Sequence, residues 1–235
     1  MKPSDALASV RARIEEAARR AGRSPDEITL IGVTKTVEPQ RILAAIEAGL
    51  RHIGENRVQE AASKSEILAA TSPRPQWHLI GHLQSNKVTR AAALFDWVHS
   101  IDSEDLARRL DRVAGARGVP INVLLQVDLG HEATKHGVEA HDVAALARAT
   151  AALPHLRLKG LMTIPPLSET PQGSRRFFRR LRELRDDLAA EGPPLPELSM
   201  GMSFDLEVAV EEGATMIRVG RALFGERPDG GAPPR

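Results

Sequence analysis

Residues 29–49 read TLIGVTKTVEPQRILAAIEAG, a complete strand, loop and helix in one stretch. Thr29 to Val33 is short, apolar and β-prone, as a buried strand requires. Pro39 suits a first helical turn, Ile42, Leu43 and Ile46 stripe one helix face, and Gly49 supplies a stop. The polar residues fall between, where strand gives way to helix.

The same unit recurs outward from this stretch. Upstream, Leu7, Val10, Ile14, Ala17 and Ala18 mark an amphipathic helix, with Ser4 as its expected cap and Gly22 as its expected end. Downstream, strands are expected near 52–54, 77–80, 97–101, 121–127, 158–163, 197–200 and 216–219. Between them, helices are expected over 58–68, 84–94, 142–152, 173–190 and 204–212, with another following Ser103 as N-cap. Eight strands alternating with helices in 235 residues imply a parallel sheet closed as an α/β single-domain (β/α)8 TIM barrel with an extra N-terminal helix. A doubly wound open sheet is the weaker alternative. The barrel is expected to span 1–227, with the Gly- and Pro-rich 228–235 as a disordered C-terminal tail.

Acids and bases nearly cancel to a formal charge of +1, so no global field draws the chain to nucleic acid or an anionic membrane. Arg175, Arg176, Arg179, Arg180, Arg182 and Arg185 form a basic stretch. Glu183, Asp186 and Asp187 interleave with them, and Phe177, Phe178, Leu181, Leu184 and Leu188 supply a core face, so the stretch reads as an outer barrel helix. With no cysteine there is no disulfide, thiol nucleophile or Cys-ligated metal. No apolar run reaches membrane-span length, and the N-terminal residues are too charged for a signal peptide. A soluble, cytoplasmic, monomeric protein is expected.

Barrel enzymes and binders gather their chemistry where strands end and loops begin. Lys35 stands there after the first strand, and partial desolvation would supply a neutral amine for a Schiff base. An ordinary surface lysine explains the position as well. The loops Gly201-Met202-Ser203 and Gly220-Arg221 follow strands seven and eight, where backbone N–H groups and helix starts commonly hold a phosphate. Each glycine loop alone is also explained by a plain turn. Arg218 is placed to donate to a pyridine ring nitrogen and keep it unprotonated, or else to pair with Glu55 or Asp205. His78 and His82 have zinc-like spacing, but on a strand running into a loop, with no Cys and no third ligand in register, so no metal is expected. His78 reads as an inward polar contact.

Six blocks carry a resemblance that covers most of the chain: Gly32-Val33-Thr34-Lys35-Thr36, Gly54-Glu55-Asn56-Arg57-Val58-Gln59-Glu60, Trp77 through Lys87 (WHLIGHLQSNK), Gly160-Leu161-Met162-Thr163-Ile164-Pro165, Leu198 through Ser203 (LSMGMS), and Ile217 through Gly225 (IRVGRALFG). In this order they resemble the pyridoxal phosphate homeostasis proteins, also called alanine racemase N-terminal-like. The resemblance implies pyridoxal 5′-phosphate (PLP) as a Schiff base on Lys35, with its phosphate on Gly201, Met202, Ser203, Gly220 and Arg221. It also implies Arg218 at the ring nitrogen and Asn56 beside the cofactor, and His78 is expected among the cofactor-binding residues with them. It further implies a role in vitamin B6 homeostasis without established turnover, with PLP-dependent apoenzymes as possible recipients. One departure is Asp128, where the family more often has Asn, and this leaves the role of the fifth-strand loop open.

The alternative is a PLP-dependent amino-acid racemase. Related racemases pair the lysine with a tyrosine from a second domain, whereas this chain has no tyrosine, and its length is expected to leave no room for that domain. A phosphosugar-type barrel enzyme would need a paired acid and base at the mouth and leaves the six blocks unexplained.

Overall fold

The computed structural model describes residues 2–130 and 136–225. The expected tail at 228–235 and Lys135 of the fifth-strand loop lie outside them. The described chain runs α1 (Pro3–Arg20), β1 (Thr29–Val33), α2 (Pro39–Glu47), β2 (His52–Glu55), α3 (Val58–Leu68), β3 (Gln76–Leu79), α4 (Val88–Leu94), β4 (Trp97–Ile101), α5 (Glu104–Arg117), β5 (Ile121–Asp128) and β6 (Val138–Glu139). It continues with α6 (Val143–Ala151), β7 (Leu156–Met162), α7 (Arg175–Glu191), β8 (Glu197–Ser199), α8 (Leu206–Glu211), β9 (Met216–Val219) and α9 (Arg221–Phe224).

All strand pairings are parallel, in the order β4-β3-β2-β1-β9-β8-β7-β5, and a β4–β5 pairing closes the ring into the expected eight-stranded barrel. The two-residue β6 was not expected; it adds to the C-terminal end of β5, at Val127 and Asp128.

The extra N-terminal helix is present and buries Leu7, Val10, Ile14, Ala17 and Ala18, the stripe expected from its period, together with Ala6. At about 1.5–3 kcal/mol for each large apolar side chain removed from water, Leu7, Val10 and Ile14 suffice to dock it. Its cap differs from expectation. The helix begins at Pro3 with Lys2 as N-cap, so Ser4 lies inside the first turn and its hydroxyl bonds Asp5 instead. Ser103 does precede α5, but its side chain makes no cap hydrogen bond. The expected 84–94 helix is a 3-10 turn at Ser85–Lys87 followed by α4, and the 204–212 helix shortens to α8.

Alternation along the strands sends Ile31, Leu124, Met162 and Met216 into a small cluster inside the barrel, separate from the large core between sheet and helices. The same alternation turns His78, His99, Ser199 and Arg218 inward, and all four are buried.

Candidate functional site

Lys35 stands two residues beyond β1 and is half-buried. Thr36 beside it has φ 62°, a left-handed conformation that costs a non-glycine residue about 1–2 kcal/mol and so must be held by its surroundings. Lys64 of α3 does the holding. Its Nζ donates to Thr34 O, Glu55 Oε1 and Glu60 Oε1, each at 2.7 Å, and Glu60 Oε1 accepts the Thr36 N–H at 2.5 Å. The backbone on both sides of Lys35 is thereby tied to one buried ammonium. Burial pushes the Glu55 carboxyl up from its ordinary range, with Lys64 and Thr34 pulling against it.

Asn56 follows β2 and is half-buried. Its backbone packs so closely on Gly81 that a Cβ there would lie 2.3 Å from Asn56 O, so only glycine lets the β2 and β3 loops meet. The two glycine loops, after β8 and β9, meet: Ser203 Oγ accepts the Ala222 N–H at 3.3 Å. Gly201 has φ +89°, and a Cβ would meet Ala209 Cβ at 2.4 Å. The Met202 N–H is already committed to Asp205 Oδ1 at 2.7 Å. Helices α8 and α9 have six and four residues, so the loops' N–H groups, more than any helix dipole, are what they offer an anion.

Arg218 is 3 % exposed. Its Nη1 donates to Ser199 Oγ at 2.7 Å and its Nη2 to Thr163 O at 2.9 Å. It pairs with neither Glu55, which faces α3, nor Asp205; among the described residues it forms no ion pair. Burial pushes its pKa down to about 10, and the charge of Asp205 acts the other way. Its hydrogen bonds go to a hydroxyl and a carbonyl, so its buried charge has no carboxylate against it among the described residues.

His78 lies deeper. It joins His52 at 3.0 Å and His99 at 2.9 Å, and His99 joins Ser199 Oγ at 2.9 Å, so His78 reaches Arg218 only through two other side chains. His82, four residues on, stands at the mouth instead. There it gathers with Asp102 and His136, whose candidate ligand atoms lie within 4.8 Å of one another. The His82 and His136 rings are stacked, 3.7 Å apart and 12° from parallel. A metal must lie in the plane of each imidazole it binds, so the stack as it stands cannot direct both rings at one ion. These two rings, with Asn56, Gln126, Asp128 and Ile164, border a mouth cavity of about 220 Å³.

The family model described as "Alanine racemase, N-terminal domain" matches residues 6–228. A protein of Aquifex aeolicus named pyridoxal phosphate homeostasis protein is 45 % identical over 97 % of this chain and 99 % of its own. The chain belongs to the pyridoxal phosphate homeostasis protein family. A solved relative, PipY of Synechococcus elongatus with PLP bound, superposes with a TM-score of 0.84 at 41 % identity, covering 95 % of this chain and all of that one (100 %). An alanine racemase of Clostridium difficile shares the barrel alone, with a TM-score of 0.75, 15 % identity, and coverage of 96 % of this chain and 58 % of that one.

Within this pyridoxal phosphate homeostasis family fold, Lys35, Asn56, Gly201, Met202, Ser203, Arg218, Gly220 and Arg221 all come to the C-terminal end of the barrel or just beyond it. Sequence reasoning missed Lys64, although its i,i+4 spacing from Glu60 was a readable signal. It also missed His99, because a histidine inside a strand gives no sign of what faces it across a barrel.

Proposed function

We propose that this protein binds PLP at the mouth of the barrel, covalently attached through Lys35, and holds it for vitamin B6 homeostasis rather than for turnover. The observation that carries this reading is Arg218, a buried guanidinium without a carboxylate, opening on the same strand ends as a half-buried lysine and two joined glycine loops. The residues fit the group. An arginine donates to a pyridine nitrogen without protonating it, and the loop N–H groups and the Ser203 hydroxyl suit a phosphate. PLP bound to PipY, a relative at 41 % identity, supports the same assignment.

PLP supplies an aldehyde able to capture an amine reversibly. The chain's own residues do the rest. Lys35 offers the amine, held by the Lys64 clamp on Thr34 and Thr36. Arg218 fixes the ring nitrogen, Gly201, Ser203, Gly220 and Arg221 hold the phosphate, and Asn56 flanks the ring. His78 acts at one remove. In this reading the protein works as a cytoplasmic monomer that surrenders PLP to apoenzymes, without nucleic-acid or membrane partners. Among the described residues no helix is long and apolar enough to cross a membrane.

Titrating the purified protein with PLP, followed by dialysis and cofactor quantitation, tests the reading. One equivalent of PLP retained with a yellow absorption band is expected; loss of all PLP on dialysis would overturn it.

A further inference from the structure

We infer that His99, His78 and His52 form a one-way hydrogen-bond relay, polarised by Arg218 through Ser199, that positions the guanidinium for an acceptor at the barrel mouth. That the acceptor is the PLP ring rests on the proposed function; the direction of the relay does not.

Direction follows from the inventory of donors. A guanidinium only donates, so Ser199 Oγ accepts from Arg218 Nη1 at 2.7 Å. The Ser199 hydroxyl is fully buried and must place its own hydrogen, and its other partner among the described residues is His99 Nδ1 at 2.9 Å. His99 Nδ1 is therefore an acceptor, and its proton sits on Nε2, which donates to His78 Nδ1 at 2.9 Å. By the same step His78 Nε2 donates to His52 Nδ1 at 3.0 Å. All three rings are fixed as the neutral Nε2–H tautomer. An extra proton on His52 or His78 would set two N–H groups against each other, and one on His99 would set an N–H against the Ser199 O–H. Burial agrees, holding His99 and His78 well below the ordinary imidazole range, with the Arg218 charge adding to the effect on His99.

The relay crosses the barrel, since Ser199 on β8 and His99 on β4 are not on neighbouring strands. It ends at half-buried His52, the first residue of β2 and hence at the opening opposite the mouth. Trp97 stacks on His78 at 5.5 Å and 10°, closing one face of the middle ring. Barrel interiors are ordinarily filled by branched apolar side chains. Three imidazoles in line, all serving a serine that orients an arginine, are instead a positioning device. With Nη2 held by a backbone carbonyl and Nη1 by an oriented hydroxyl, the guanidinium plane has one setting.

Long-range ¹H–¹⁵N spectra of histidine-labelled protein without PLP test the polarity. His52, His78 and His99 are expected with Nε2 protonated and Nδ1 bare; a wild-type His99 bearing a proton on Nδ1 would overturn it. Ser199→Ala removes only the hydroxyl. It is expected to release His99 into a mixture of tautomers and to weaken PLP binding about tenfold, the worth of one hydrogen bond to a charged group. Ser199→Thr, which keeps the hydroxyl, is expected to restore both. Ser199→Ala protein that binds PLP as wild type does would overturn the positioning role. If wild-type protein takes up no PLP, the cofactor reading fails, while the tautomers still decide the relay.

Discussion

Lys64 and Glu55 meet at 2.7 Å between the barrel and α3, with side chains 6 % and 0 % exposed, and the second Glu55 oxygen is buried with no partner among the described residues. Removing one partner of such a pair leaves an uncompensated buried charge, at a cost of about 3–5 kcal/mol. Lys64→Met is therefore expected to lower unfolding stability by that amount at pH 8. The pH dependence has a definite sign. A carboxyl raised on folding favours the folded state at low pH and withdraws stability as pH rises past the ordinary carboxylate range; losing Lys64 raises Glu55 further. The deficit should shrink as pH is lowered toward about 5. Urea unfolding at both pH values checks this, and a deficit independent of pH would count against a buried carboxylate as its source.

Gly201→Ala should destabilise the loop after β8. The substitution meets φ +89° and a contact of 2.4 Å with Ala209 Cβ, and overpacking of this kind costs about 1–3 kcal/mol. Thermal unfolding is the measurement. Adding Ala209→Gly is expected to relieve the steric part only, so the double variant stays below wild type.

Three arginines of α7 converge on one carboxylate from outside the helix. Glu212 on the loop after α8 is 4 % exposed and receives Arg175, Arg179 and Arg182 at 2.8, 3.1 and 3.1 Å. Burial raises its carboxyl, but the arginines outweigh burial and hold it below the ordinary range. A carboxylate depressed in this way stabilises the fold above its ordinary pKa and loses that contribution as pH falls through the folded value. Glu212→Gln should cost about 2 kcal/mol at pH 7, discounted for the partly exposed arginines, and flatten the stability curve below about pH 4.5. An unchanged acid limb would contradict this role.

The barrel was legible because its period is local. Each strand-loop-helix unit declares itself within about 20 residues, as residues 29–49 do, and strand ends then locate Lys35, Asn56 and the glycine loops. Ser4 and Ser103 misled, because a residue type favoured at caps says nothing about whether its hydroxyl reaches a free N–H. The relay was illegible for a different reason. His99 and Ser199 are 100 residues apart and meet only because the sheet closes. The gathering of His82, Asp102 and His136 depends on the same closure.

Incubation with PLP and L-alanine is expected to give negligible racemisation by chiral chromatography. The weight rests on the second base, since the chain has no tyrosine to act as one; an arginine at the ring nitrogen would make PLP a poorer electron sink but decides little alone. Turnover on the usual enzymatic scale of about 1–10³ per second would contradict the homeostasis reading.

The proposed function rests on a covalent bond between PLP and Lys35, and borohydride trapping reads that bond itself. Protein loaded with PLP, reduced, digested and analysed by mass spectrometry should carry the pyridoxyl phosphate mass on the peptide containing Lys35. Lys35→Ala should show no yellow band while its circular dichroism stays that of the wild type, because the half-buried side chain is not part of the core. The mass found on Lys87 or Lys135, with Lys35 unmodified and the yellow band intact in Lys35→Ala, would rule out Lys35 as the attachment point.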